Sequence, residues 1–255
     1  MVRLAVIVIT HNESGNIRQC LESVKFADCV HVLDSGSTDG TVEIAREMGA
    51  LVAVSEDWPG FGIQKNRVLD LAILAGCEWV LSIDADERVS PGLEAEIKAV
   101  LVLPLFDVYT LSRLSSYCGK TINHSGWYPD RVMRLFRHNV ARFSNDIVHE
   151  KVLSSRQVGN LHHHLFHDSF KNFESVLDKT NRYSTAGAQT LYAKGKKSSL
   201  NIAIAHGIWA FFRTYFLRRG FLDGKMGFIL AVSNAEGTYY RYLKCWLMQQ
   251  NNFET

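Results

Sequence analysis

The chain has 255 residues, 47% hydrophobic and 21% charged, a globular composition that excludes disorder, collagen and coiled coil. Its net charge of +2 hides an asymmetry: residues 1–128 carry 10 Lys and Arg against 17 Asp and Glu, and residues 129–255 carry 18 against 9. Half the chain being anionic disfavours a nucleic-acid binder, and five scattered cysteines without a Cys-x-x-Cys pair imply neither a disulfide framework nor a zinc ribbon.

In chain order, Leu4–Ile9 is a continuous β-branched run, the pattern of a strand buried on both faces. Gly15–Val24 has helical spacing. Val30–Leu33 is a second strand, and Ser35–Gly40 is turn chemistry, with Ser37 or Thr38 expected to cap a helix over Thr41–Met48. Leu51–Val54 is a third strand, and a helix to about Ala75 follows the loop Trp58–Gly62. A fourth strand, Trp79–Ile83, ends at Asp84-Ala85-Asp86-Glu87. Ser90-Pro91 then opens a helix to about Leu101 as N-cap and first-turn proline. Further on, Val108–Leu114 and Val132–Phe136 read as strands, and Phe170–Gly187, Leu200–Leu217 and Met226–Met248 as helices. The run Leu4–Ile9 is too short to cross a membrane, and His206 and Arg213 interrupt Ile202–Leu217, so no transmembrane helix is expected.

Strands alternating with helices predict an α/β fold with a mostly parallel sheet. Such sheets bind ligands beyond the carboxyl ends of their strands. Three polar clusters fall at those ends: Thr10–Glu13, Asp34–Ser37 and Asp84–Glu87. No GxGxxG or GxxxxGK[ST] is present, which weakens dinucleotide and P-loop readings. Asp84 and Asp86 are carboxylates one residue apart at a strand end, a pattern suited to a hard cation bridging to substrate phosphates. In the Asp34–Thr41 turn, an acidic residue can accept from a base or ribose, and glycine lets the backbone approach a ligand. An HExxH zinc site is excluded because position 153 is Leu, and His162, His163, His164 and His167 lack the spacing of a zinc site.

The segments Ile7-Val-Ile-Thr10-His-Asn12-Glu13, Asp34-Ser-Gly36-Ser37-Thr-Asp39-Gly-Thr41, Gln64-Lys65-Asn66 and Asp84-Ala-Asp86-Glu87 follow one another over the first 105 residues as in family 2 glycosyltransferases, which the chain resembles. The resemblance implies a GT-A type fold and an inverting transferase using a nucleotide-diphospho sugar with Mg²⁺ or Mn²⁺. It places the donor at Thr10, Asn12, Glu13, Asp34, Gly36, Ser37, Lys65, Asn66 and Asp84, and the metal at Asp86 and His149. Gly126-Trp-Tyr-Pro-Asp130-Arg131-Val-Met-Arg134-Leu-Phe-Arg137, Val148-His149-Glu150 and Arg218–Gly224 resemble small lipopolysaccharide-core glycosyltransferases, whose near relatives add β-glucose to inner-core heptose.

Inverting transfer needs a carboxylate base for the acceptor hydroxyl; Asp130 and Glu150 are the candidates, and Arg131 and Arg134 are expected at the acceptor. The resulting expectation is a nucleotide-sugar-binding half over 1–105, an acceptor and catalytic half over 106–195, and amphipathic helices over 196–255. The expected acceptor is a lipid-anchored saccharide, with peripheral contact to an anionic membrane from the cytoplasmic side and no nucleic-acid partner. Rival acceptors are a capsule saccharide, a polyprenyl phosphate or a protein. A nucleotidyltransferase, which also pairs carboxylates with metal, would differ in releasing pyrophosphate.

Overall fold

A computed structural model describes residues 4–145 and 150–251, the side chain of Asn251 excepted. The elements are β1 Leu4–Thr10, α1 Ile17–Glu22, β2 Cys29–Asp34, α2 Thr41–Glu47, β3 Leu51–Val54, α3 Phe61–Leu74, β4 Trp79–Ser82, β5 Glu87–Val89, α4 Pro91–Val102, β6 Val108–Tyr117, β7 Lys120–Thr121, β8 Asp130–Arg137, β9 Arg142–Phe143, β10 Val152–Leu153, β11 Val158–Phe170, α5 Phe173–Ala193, α6 Leu200–Phe212 and α7 Gly224–Asn251. A π-helical turn, Arg213–Leu217, and a 3₁₀ turn, Gly220–Asp223, join α6 to α7.

The chain divides into two compact units. The first runs to Arg113 and takes up again over Asp130–His167; the second comprises Leu114–Pro129 and the chain from Asp168 onward.

The large sheet has the order β3-β2-β1-β4-β8-β6-β11-β5. It is mixed: β3, β2, β1 and β4 run parallel, as expected, and β8 joins β4 antiparallel. In the first unit all seven residues of β1 are buried. Alternate side chains of a strand point to opposite faces. Leu4, Val6 and Val8 therefore meet Ile17 and Leu21 of α1, Ala45 of α2 and Leu93 and Ile97 of α4, while Ala5, Ile7 and Ile9 meet Val68, Leu69 and Ala72 of α3. Each fully buried Ile or Leu contributes about 1.5–3 kcal/mol, so the central strand is held from both faces. This fixes the strand ends that carry the polar clusters. Helix α4 begins as predicted: Ser90 is extended and its side chain accepts from the Leu93 N–H, with Pro91 in the first turn.

In the second unit, α7 packs against α5 and α6. Tyr117, Ile122, Val176 and Leu230 form its small core. The Asp223 carboxylate accepts from the backbone of Asn123 and His124 and from the Ser125 hydroxyl, so the Arg218–Gly224 motif anchors the loop before Pro129.

Candidate active site

The first two polar clusters fold into one another. Thr10 Oγ1 donates to Asp34 Oδ2 at 2.7 Å, and the Ser37 N–H donates to Asp34 Oδ1 at 2.7 Å. Ser37 Oγ in turn accepts from the Asn12 N–H, and Asn12 Oδ1 accepts from the Thr38 N–H. The Glu13 N–H reaches Thr41 Oγ1. Asp34 is fully buried, so its carboxylate shapes the two loops from behind. The expected cap of α2 is corrected: Ser37 is consumed by Asp34, the N-cap position is the left-handed Gly40, and Asp39, one residue before it, accepts from the Thr41 N–H. Gly36 sits at φ +78 with nothing near the position of a Cβ, a backbone that strains any other L residue and leaves open space above the turn.

The third cluster is part of a chain of ion pairs. Lys65 of α3 is only 2% exposed; its Nζ lies 2.7 Å from Asp84 Oδ1 and 2.6 Å from Glu150 Oε1. Arg134 of β8 reaches Asp84 Oδ2 at 2.5 Å and Glu87 Oε1 at 3.0 Å. Arg113 of β6 reaches the same Glu87 oxygen at 3.4 Å and grips Asp130 Oδ2 through Nε at 2.9 Å and Nη2 at 2.8 Å. The sequence of contacts is Glu150–Lys65–Asp84–Arg134–Glu87–Arg113–Asp130, so both candidate bases are ends of one relay. The β6–β8 register, which sets Arg113 opposite Asp130, makes the last link.

Burial would raise the Asp84 carboxyl, but Arg134 and Lys65 hold it well below the ordinary carboxylate range. Burial pushes the Glu87 carboxyl up, against the pull of Arg134 and Arg113. An unpaired buried charge is costly, which is why three cations are needed inside this network.

Several expected ligand contacts are thus turned inward. Arg134, expected at the acceptor, is 6% exposed and braces Asp84 and Glu87, because its place on β8 faces the sheet interior. Arg131, three residues earlier, is exposed. Lys65, expected at the donor, lies between two carboxylates. Asn66 clamps the backbone of Phe143 by donating to its carbonyl and accepting from its N–H. Gly62 is required beside them, since a Cβ there would stand 1.8 Å from the Ser144 carbonyl oxygen. Asp130 keeps a side chain 37% exposed and Glu150 one 15% exposed.

Among the described residues, Asp86 is the carboxylate of the Asp84-Ala85-Asp86 pair for which no Lys or Arg ion pair is seen. Its partner is His167 Nε2, 3.4 Å from Oδ2. Sequence spacing did not single out this histidine; β11 pairs with β5 so that His167 stands opposite Glu87. The Glu96 carboxylate accepts instead from the backbone N–H groups of His162 and His163, and the His163 ring Nδ1 lies 3.1 Å from it. His149 lies outside the described residues. Among the described residues no group of three or more His, Cys, Asp or Glu is arranged to hold a metal. The partly exposed Asp86 carboxylate does fit a hard cation completed by phosphate oxygens of a substrate.

The Glycosyl transferase family 2 model matches residues 5–148. The chain is 32% identical over 257 residues to the uncharacterized glycosyltransferase RP128 of Rickettsia prowazekii, covering 96% of this chain and 87% of the relative. It is 27% identical over 239 residues to the lipopolysaccharide core biosynthesis glycosyltransferase LpsC of Rhizobium meliloti, covering 91% and 87%. Residues 1–349 of S. aureus TarS superpose with a TM-score of 0.49 at 16% identity, covering 98% of this chain and 92% of that one.

Proposed function

The chain belongs to glycosyl transferase family 2 and has an α/β fold, and from that premise we propose an inverting hexosyltransferase of the GT-A type that moves glucose from UDP-glucose to a heptose of the lipopolysaccharide inner core. The observation that carries the reading is the relay from Glu150 to Asp130, which ends in an accessible carboxylate oriented by Arg113. The likeness to LpsC supports the acceptor class.

In this reading residues 1–105 bind the donor, 106–195 form the acceptor and catalytic half, and the helices over 196–255 bring the enzyme to the inner face of the membrane that holds its lipid-anchored acceptor. The loops of Thr10, Asn12, Glu13, Gly36 and Ser37, shaped by Asp34, take the nucleoside. Asp84, fixed by Lys65 and Arg134, would hold the ribose of the donor. Asp130 accepts the acceptor hydroxyl proton as the new oxygen–carbon bond forms at the sugar and the bond to the diphosphate breaks, with inversion at that carbon. Asp86, with His149 in this reading, would hold Mg²⁺ or Mn²⁺, which as a Lewis acid stabilises the leaving diphosphate. Arg131 is the exposed acceptor contact, and Arg134 acts through Asp84.

A thermal-shift screen of nucleotide sugars with Mn²⁺ tests the donor assignment, because a ligand that binds the native state raises its melting temperature. UDP-glucose should give the largest shift. A larger shift from another nucleotide sugar reassigns the donor, and no shift from any of them removes the reading.

A further inference from the structure

Helix α6 is packed inside out for a helix in water. The residues it buries against α7 are small: Ala203, Gly207 and Ala210, with Thr214 one turn further on. Gly207 permits close approach, since a Cβ there would lie 3.1 Å from that of Tyr239. The large apolar side chains point away from the protein. Ile208 is 66% exposed, Trp209 52% and Phe216 49%, and Ile204, Phe212 and Phe221 are exposed with them. An open apolar groove of about 400 Å³ between Ile204, Ile208 and Val232 continues this face. Soluble helices turn their large apolar residues inward, whereas close packing through small residues belongs to helices whose outer face meets lipid. An exposed apolar surface this extensive marks an interaction site.

The charge around the face identifies the partner. Residues 194–229 hold seven lysines and arginines and one acid. That acid, Asp223, is turned inward to Ser125. Arg213, Arg218, Arg219 and Lys225 are exposed among the aromatics. Aromatic rings at the headgroup level with cations beside them are the chemistry of an anionic phospholipid surface. Among the described residues no helix is long and apolar enough to cross a membrane.

We propose that α6 and the two turns after it form a membrane-docking face that lies in the interface of an anionic bilayer, with Trp209, Phe212 and Phe216 inserted and Arg213, Arg219 and Lys225 on the headgroups. This deepens the peripheral association proposed above and rests on that part of the reading; the vesicle test below needs neither donor nor acceptor, so it fails or succeeds apart from the transferase chemistry.

The full chain is sedimented with vesicles of 30% phosphatidylglycerol in phosphatidylcholine and with pure phosphatidylcholine vesicles. Partitioning should be at least about tenfold stronger on the anionic vesicles and weaken in high salt. Each cation near such a surface is worth a factor of about five, so Arg219→Ser with Lys225→Ser should lower it about 25-fold. Trp209→Ser with Phe216→Ser should lower it at least about tenfold, and Leu74→Ser, an exposed apolar site on α3, should change nothing. Brominated lipid should quench part of the tryptophan fluorescence, and Trp209→Phe, which keeps the ring and the fold, should lose that part while still binding. Equal partitioning to neutral and anionic vesicles, no binding to either, or a dimer in solution that Trp209→Ser with Phe216→Ser dissociates would overturn the proposal.

Discussion

Lys65 and Glu150 stand 85 positions apart in the chain, yet the lysine Nζ meets the carboxylate at 2.6 Å. The same ammonium holds Asp84 at 2.7 Å. One buried cation therefore ties the end of β4 to the segment after β9 and fixes the separation of two carboxylates at the site.

Lys65→Met should lower stability by about 3 kcal/mol. Breaking a buried pair leaves uncompensated charge at a cost of about 3–5 kcal/mol, and the lower end applies because Asp84 keeps contact with water. Urea unfolding at pH 7 measures it. A loss below about 1 kcal/mol would mean that the relay contributes nothing to the fold.

Asp130→Asn should lower turnover by about 10²-fold or more, the usual contribution of general acid–base catalysis, with donor binding unchanged. Steady-state kinetics beside Glu150→Gln decide between the two ends of the relay. An active Asp130→Asn with a dead Glu150→Gln exchanges their roles.

Arg113→Gln should reduce kcat about tenfold while leaving the KM for the donor unchanged, because the guanidinium orients Asp130 and touches no donor group in this reading. A rise in donor KM at constant kcat would place Arg113 in the donor site instead.

The pH dependence of stability carries the sign of Asp84. Its carboxyl is held below the ordinary 3.8. The ion pairs therefore add stability above pH ~3.8, which is lost as the pH falls through that value toward the lowered one. Glu87, raised by burial above its ordinary 4.5, acts in the opposite sense: its stabilisation is full below 4.5 and is lost as the pH rises through the raised value. Urea midpoints measured from pH 6 to pH 3 should fall less steeply in Asp84→Asn than in the parent chain. Parallel curves would show that Asp84 is not the group protonated.

Much of the α/β half was legible in the sequence because it is local. The β-branched run of β1, the Ser90-Pro91 cap of α4 and the turn residues after β2 each declare an element within a few positions. The strand β11 was not legible: its buried Leu161 and Leu165 are spaced as in a helix, and the histidines between them break any alternation. The polar clusters at the strand ends could be read as a site, but their partners could not. Nothing near Arg113 in sequence marks it as the grip on Asp130, and only the β6–β8 register reveals it. Likewise Lys65 and Arg134 look like surface cations by type, and only the long-range carboxylates around them explain their burial.

The most direct test of the account is the anomeric configuration of the product, read from the proton coupling in its nuclear magnetic resonance spectrum. UDP-glucose, Mn²⁺ and a deacylated inner-core oligosaccharide are the reactants. A single displacement from the α-linked donor with Asp130 as base predicts a β-glucoside and an equal amount of UDP. An α-glucoside, or release of glucose 1-phosphate in place of UDP, would contradict it.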